Sequence, residues 1–214
     1  MTDSELLTAA LRRDFATLAP SADRAWFRPL TLRVIDCVLS LRRADDRPIG
    51  PRLDAFQERF PEVESLRHLG SLLSTYKSPA LFARDVLHTN DPTPAATLIA
   101  LVDYLIRMAL AGPGTEAAQL KAWAACARPQ DYLTLRIPTL SLAGFQYLRM
   151  LLGANTTKPD LHIGSYVATV LRRPVSDVEA LLLLEEAAPL VPLRLRDVTA
   201  ASWTAPPTRV AGAV

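Results

Sequence analysis

Apolar residues recur at helical spacing along most of the chain, and no stretch keeps the apolar and polar alternation of a half-buried strand. Prolines, glycines and polar capping residues separate the periodic stretches and set their ends. The predicted helices span residues 4–18, 30–43, 50–60, 65–75, 78–87, 95–111, 115–127 and 142–152, then a helix starting at Asp160, 176–190 and 195–203. The sequence therefore predicts an all-α fold.

The segment Arg136–Arg173 carries the densest series of structural signals. Pro138–Ser141 predicts a turn, and Leu142–Leu152 follows as a helix with its apolar residues on one face. Gly153 is expected to end that helix, because glycine tolerates a left-handed φ. A polar loop then leads to Asp160 at the start of the next helix. This turn, helix, loop and helix form the candidate functional segment.

Two short sequences in this segment stand out, I-P-T-L-S-L-A-G-F at 137–145 and P-D-L-H-I at 159–163. They resemble the central segment of the helix-hairpin-helix DNA glycosylases of the endonuclease III type, which reads roughly L-P-G-V-G-x-K-T-A, an apolar helix, then V-D-T-H-I. Both hairpin glycines of that family are replaced here, by Thr139 and Ser141. The lysine of the bifunctional members falls at Ala143.

The resemblance begins upstream at Leu32–Asp46, which is similar to the family's first core helix and the segment after it. It implies a two-lobed, all-α helical bundle of the glycosylase type, with the substrate cleft between the lobes. The implied boundaries are 1–29 for an N-terminal helix and linker, 30–203 for the glycosylase-like domain (a helical lobe at about 30–128, the hairpin and catalytic segment at about 129–175), and 204–214 for a flexible tail.

Asp160 is the catalytic carboxylate that the resemblance implies. In the family the matching aspartate faces the flipped nucleotide, where it stabilises positive charge developing at the sugar or activates water. Asp160 also suits a simple helix cap, since aspartate is favoured there in any helix. Ala143 cannot supply the amine nucleophile that strand cleavage requires. The implied activity is monofunctional hydrolysis of the N-glycosidic bond of a damaged or non-standard base, as in base-excision repair of DNA.

The family's hairpin offers backbone N–H groups at a helix N-terminus to a DNA phosphate. The matching positions are Thr139, Ser141 and Ala143. Either the replaced residues keep the hairpin, at a cost of about 1 kcal/mol or more for each held at positive φ, or the turn takes ordinary φ values and the phosphate site is lost. Arg136 and Lys158 are further candidate phosphate contacts, with a plain surface charge as the alternative for Lys158.

Three residues outside the hairpin have a candidate role and a structural alternative. Arg42 falls at the position of the family's wedge residue, which fills the gap left by a flipped base, and it equally suits a helix end where cations complement the dipole. Asp36 lies within the nearly all-round apolar helix 30–43 and is interpreted as an exposed or paired carboxylate rather than a catalytic one. Tyr147 is interpreted as a core residue rather than a base-stacking one.

The formal net charge of +2 is too small to indicate nucleic-acid binding by itself. Cations exceed anions between Asp131 and Arg173, where the cations are Arg136, Arg149, Lys158, Arg172 and Arg173 and the anions are Asp131 and Asp160. Solvated helix faces often carry such an excess, so it favours double-stranded DNA as the partner without deciding it.

Cys37 and Cys126 are too few for a disulfide framework and have no partner ligands at metal spacing. No cysteines follow Asp160 to form the iron–sulfur loop that many relatives carry, so we expect no cofactor and no metal. The longest apolar stretch is interrupted by Asp103 and Arg107, so it does not supply the roughly 18–20 uncharged residues that a membrane span needs. The N-terminus lacks a cleavage signal. We expect a cytoplasmic monomer that does not enter a membrane.

Two other functions fit the sequence. The first alternative is a catalytically inactive member that keeps the fold as a DNA-binding or protein-interaction module, which the loss of both hairpin glycines supports. The second is a helical interaction protein whose resemblance is accidental, and such a protein would lack DNA affinity.

Overall fold

The structure is a computed structural model of the 214-residue chain, and it describes residues 2–18, 28–41, 48–110, 112–159 and 161–198. Within these ranges the chain consists of helices joined by turns and short loops, without a β-strand. The all-α fold class predicted from the sequence is confirmed for the described residues.

Most of the helices follow the predicted spans, but the first helix ends at Asp14 rather than at residue 18, and the short helix Tyr132–Leu135 was not predicted. They are α1 (Asp3–Asp14), α2 (Leu30–Ser40), α3 (Ile49–Arg59), α4 (Leu66–Ser74), α5 (Pro79–Asp85), α6 (Thr93–Ala109), α7 (Glu116–Cys126), α8 (Tyr132–Leu135), α9 (Leu142–Leu151), α10 (Leu161–Leu171) and α11 (Asp177–Ala187). Short 3-10 turns at Pro129–Asp131 and Ala188–Leu190 extend α8 and α11. Residues 195–198 are helical, and the rest of the predicted last helix lies outside the described residues.

Side-chain caps explain where many of these helices begin. In each case a serine or threonine hydroxyl accepts a hydrogen bond from the backbone N–H three residues later, which satisfies a donor that the first turn leaves unpaired. The capping residues are Thr2, Ser65, Ser78, Thr115, Ser141 and Ser176. These signals are local in sequence, and the helix starts are therefore predictable from it.

The chain divides into two compact units, of which one joins the two ends of the chain: Met1–Ala22 with Asn155–Val214. Its helix α1 packs against α10 and α11. The apolar core of this unit contains Leu7, Leu11, Ile163, Val167, Ala180, Leu184 and Leu195 among its buried residues. The first helix is therefore part of the C-terminal unit's core.

The other unit, Asp23–Ala154, contains α2 to α9. Helix α2 contacts α3, α4, α6 and α9, so almost every side of it is covered. Its side chains Leu32, Val34, Ile35 and Val38 are all buried. The nearly all-round apolar pattern of this helix is explained by its central place in the unit.

Gly153 ends α9 as predicted. Its φ is 104°, a value that L side chains rarely adopt, and its N–H donates to the Met150 carbonyl. The Ala154 N–H donates to the Arg149 carbonyl, so the last turn of the helix is closed by a left-handed cap.

Candidate functional site

The turn at 137–140 leads directly into α9. The Leu140 N–H donates to the Ile137 carbonyl over 3.3 Å, with Pro138 second and Thr139 third in the turn. Thr139 has φ 60°, and this combination is the pattern of a type II turn, whose third position normally takes glycine. A β-branched residue is unfavourable in the left-handed region, so neighbouring groups must hold Thr139 there.

Of the two residues that stand where the family has glycine, only Thr139 has a positive φ. Ser141 has φ −78° and acts as the N-cap of α9, since its hydroxyl accepts from the Gly144 N–H over 3.3 Å. Of the two outcomes open from the sequence, the left-handed turn therefore holds at Thr139, while serine at 141 contributes a cap instead of conformational freedom.

The buried hydroxyl of Thr97, on α6, contacts the turn. Its Oγ1 lies 3.1 Å from the Pro138 carbonyl oxygen and 3.0 Å from the Thr139 Oγ1. Thr97 is 0% exposed, and its Oγ1 also lies 2.9 Å from the Thr93 carbonyl oxygen of its own helix. Sequence reasoning missed Thr97, because the residue is 41 positions from Pro138 and belongs to another helix.

Four backbone N–H groups at this turn have no hydrogen-bond acceptor among the described residues. They belong to Thr139, Ser141, Leu142 and Ala143. The first two residues are exposed and the other two are partly exposed. They lie at the N-terminal end of α9, where the helix dipole adds partial positive charge. Such a group of donors suits an anion.

The cations of the candidate segment are divided between the two compact units. Arg136, with φ 51°, is exposed at the end of α8 beside the turn. Lys158 is partly exposed and belongs to the unit that contains the chain termini. Arg173 is engaged by Asp3 at 2.6 Å and by Glu179 at 2.7 Å.

Arg149, one of the cations counted in this segment, is buried. Arg149 is 2% exposed, its Nε donates to the Ala124 carbonyl over 3.1 Å, and its Nη1 donates to the Gln146 Oε1 over 2.7 Å. The guanidinium therefore serves packing between α7 and α9. The excess of positive charge at the surface is smaller than the sequence indicated.

Asp160 and Arg42, the proposed catalytic and wedge residues, lie outside the described residues. Helix α10 begins at Leu161, whose side chain is 82% exposed. The roles of Asp160 and Arg42 stay predictions from the resemblance.

A buried polar cluster connects α2 to α9 behind the turn. Asp36 is 6% exposed and accepts from the Ser40 hydroxyl over 3.0 Å and from the Tyr147 hydroxyl over 3.1 Å. Burial, and then the Asp36 charge, raise the pKa of Tyr147 well above its usual value. Of the two structural interpretations given for Asp36, the structure shows the paired carboxylate and not the exposed one. The sequence signal for this polar cluster was a carboxylate within a mostly apolar helix.

Gly144 allows the start of α9 to approach α2 closely. A Cβ at this position would overlap the Leu41 side chain and lie 3.2 Å from the Leu140 Cδ1. The Cys37 thiol also donates to the Gly144 carbonyl over 3.6 Å. These contacts fix the N-terminal turn of α9 against the end of α2.

A pocket of about 150 Å³ opens beside α2 and α3. Phe56, Phe60 and Pro61 contribute to its wall, and Glu64 is the single ionisable group among its described lining residues. A lone carboxylate offers no acid and base pair, so the pocket does not compete with the turn as the candidate site.

No family model, curated protein or solved structure matches this chain. In the part of the chain that the structure describes, no three histidine, cysteine or acidic side chains are grouped closely enough to bind a metal ion. No helix in the described ranges has both the length and the hydropathy needed to cross a membrane. The geometry of the turn and the sequence resemblance are therefore the features that indicate a function.

Proposed function

We propose that this chain is a helix-hairpin-helix glycosylase-like protein that binds double-stranded DNA through the turn at 137–141 and the first turn of α9. The observation that carries the proposal is the set of backbone N–H donors at Thr139, Ser141, Leu142 and Ala143, for which the described residues supply no acceptor. A DNA phosphate would accept these hydrogen bonds at the positive end of the helix dipole.

Except for Leu142, the side chains beside these amides are small, and two of their hydroxyls make hydrogen bonds within the protein. The Thr139 hydroxyl is directed to the buried Thr97, and the Ser141 hydroxyl is occupied by the Gly144 N–H. Ala143 adds only a methyl group. Arg136 is exposed beside the turn and would add a positive charge near the same phosphate.

For the chemistry, we infer that Asp160 is the carboxylate that promotes base release. It would stabilise the positive charge that develops on the sugar as the N-glycosidic bond breaks, or activate the attacking water. With Ala143 in place of the family's lysine, no Schiff base forms at that position and the strand stays intact. The division of the described chain into two compact helical units supports the two-lobed architecture on which this inference rests.

The substitution Ala143→Glu tests the DNA interface. A carboxylate in the first turn of α9 favours the helix through its dipole, so folding should be kept, but it would repel a phosphate. We expect at least about a tenfold loss of affinity, measured by fluorescence anisotropy with labelled duplex DNA at low salt. Wild-type affinity should also fall steeply as salt rises.

The matched control is Ala122→Glu, which makes the same change at an exposed position of α7 in the same unit. It should change DNA affinity by less than about twofold, since a distant exposed charge is largely screened. Equal losses in the two variants would reject the turn as the interface. Salt-independent binding by the wild-type protein would reject phosphate recognition altogether.

The substitution Asp160→Asn tests catalysis separately from binding. Wild-type protein and variant are incubated with duplexes that each carry one damaged or deaminated base, and base release is read as strand breakage after alkali treatment. We expect release by the wild-type protein, no breakage before alkali, and a loss of at least about a hundredfold in the variant. DNA affinity should be unchanged, and equal rates in the two proteins would remove Asp160 from the mechanism.

The second candidate is a catalytically inactive member that acts as a DNA-binding or protein-interaction module. Thr139 in place of glycine favours it, because a side chain at this position limits how closely a strand approaches the turn. Salt-dependent DNA binding without base release from any duplex would select this function.

A further inference from the structure

The peptide between Pro138 and Thr139 decides what the turn presents to a ligand. Type I and type II turns differ by a flip of this central peptide, and the positive φ of Thr139 corresponds to the type II orientation. In a planar trans peptide the C=O and N–H bonds point in opposite directions. Whatever holds the Pro138 carbonyl inward therefore directs the Thr139 N–H outward.

We propose that Thr97 is a positioning residue for DNA binding: its buried hydroxyl holds the Pro138 carbonyl, so the Thr139 N–H faces the phosphate. This inference rests on the proposed DNA-binding function. The 3.1 Å distance from the Thr97 Oγ1 to the Pro138 carbonyl oxygen is the contact that carries it.

The hydrogen bonds of the two threonines reinforce each other. A hydroxyl has one proton to donate and two lone pairs to accept with. Two carbonyl oxygens share the Thr97 proton, that of Thr93 at 2.9 Å and that of Pro138 at 3.1 Å. Because this proton is used by carbonyls, the Thr139 hydroxyl is the donor in the 3.0 Å contact with Thr97. Thr97 then holds the residues on both sides of the central peptide.

We call the two hydrogen bonds between Thr97 and the turn the tether; they compensate for the absence of glycine at position 139. Glycine would adopt the positive φ without strain, whereas threonine needs an external constraint to stay there. The chain supplies that constraint from α6 through a residue with no solvent exposure. Thr97 and Thr139 are therefore expected to act as a coupled pair, and a glycine at 139 should make the tether unnecessary.

The test uses four variants of the full chain: Thr97→Val, Thr97→Ser, Thr139→Val and the double variant Thr97→Val with Thr139→Gly. Valine keeps the shape of threonine without its hydroxyl, and serine keeps the hydroxyl. Proton–nitrogen spectra with hydrogen exchange report the conformation at Thr139 and Leu140 whether or not DNA binds. Anisotropy with a labelled duplex, undamaged or carrying a stable abasic-site analogue, reports affinity, and thermal unfolding shows that each variant is folded.

We expect Thr97→Val to shift the Thr139 and Leu140 amide signals and to lower DNA affinity about tenfold, the equivalent of one lost hydrogen bond. Thr97→Ser should keep the wild-type spectrum, and its affinity should stay within about twofold of the wild-type value. The double variant should regain most of the affinity. Thr139→Val removes the other hydroxyl at an exposed position, and it should weaken binding in the same direction even if Thr97→Val does not fold.

Three results would overturn the inference: unchanged turn signals and affinity in Thr97→Val, a Thr97→Ser variant as weak as Thr97→Val, or a double variant that regains nothing. Failure of the proposed function is a different result. If the wild-type protein binds neither duplex, while the turn signals still change with Thr97→Val and return with Thr97→Ser, the tether stands and DNA recognition is rejected.

Discussion

At the scale of single residues, Gly153 shows what a required backbone conformation contributes. A residue with an L side chain would be strained at the Gly153 φ of 104°, and its Cβ would lie 3.4 Å from the Lys121 Cγ. We expect Gly153→Ala to lower the free energy of unfolding by about 1–3 kcal/mol, measured by urea denaturation. Gly50→Ala in α3 is the control, since its Cβ would meet only an ordinary contact, 3.8 Å from Arg28. That change should be neutral or stabilise by up to about 1 kcal/mol, and a similar loss in both would contradict the argument.

Single residues also show where sequence reasoning succeeds. The end of α9 at Gly153 and the turn after Pro138 were predictable, because each follows from the residue's own backbone preference. Arg149 and Thr97 were not, since nothing in the neighbouring sequence reveals that a guanidinium lies in the core or that a hydroxyl of α6 contacts the turn. Those roles depend on partners distant in sequence.

At the scale of helices, the contact of α2 with α9 includes the hydrogen bond from Tyr147 to Asp36. Tyr147→Phe removes this donor and leaves the buried carboxylate with one fewer partner among the described residues. We expect a loss of about 1–2 kcal/mol in the free energy of unfolding. Tyr132→Phe is the matched control, because no described residue hydrogen-bonds to the Tyr132 hydroxyl, and it should cost less than about 0.5 kcal/mol. Equal costs would show that the Tyr147 hydroxyl does not support the contact.

The same hydroxyl predicts a pH dependence. Burial, and then the Asp36 charge, raise the pKa of Tyr147 in the folded protein above its unfolded value. Above about pH 10 the unfolded chain loses this proton while the folded chain keeps it, so stability falls with rising pH, by up to about 1.4 kcal/mol per pH unit. Unfolding curves from pH 8 to 11 should show a shallower decline for Tyr147→Phe than for the wild-type protein. Parallel declines would contradict the pKa assignment.

Helix positions were the part of the fold that the sequence determined best. Ser65, Ser78, Thr115 and Ser176 cap helices that the apolar pattern had already located. Both signals, the cap and the period of the apolar residues, lie within one element. How the helices pair was less accessible, because many helical faces share the same composition of leucine, valine and alanine.

At the scale of the whole chain, the grouping of helices is the feature that local patterns could not supply. The sequence predicts a helix within residues 1–29 without indicating what it packs against, and in the structure α1 packs with α10 and α11 in one unit. An amphipathic helix needs some apolar surface to cover, but its sequence does not say which. The choice is made by fit among side chains such as Leu7, Leu11 and Leu184.

This grouping predicts that damage to the first helix weakens the far end of the chain. Leu11 is fully buried in the core that α1 shares with α10 and α11, so Leu11→Ala should cost about 2–5 kcal/mol in that unit. Hydrogen exchange read by mass spectrometry should then show faster exchange in peptides from α10 and α11, with α2 to α9 close to wild type. The control Leu161→Ala removes a leucine that is 82% exposed in the same unit and should leave exchange unchanged. Faster exchange confined to α1 would mean that the first helix only lies against the unit, and uniform acceleration across all helices would mean that both units unfold as one.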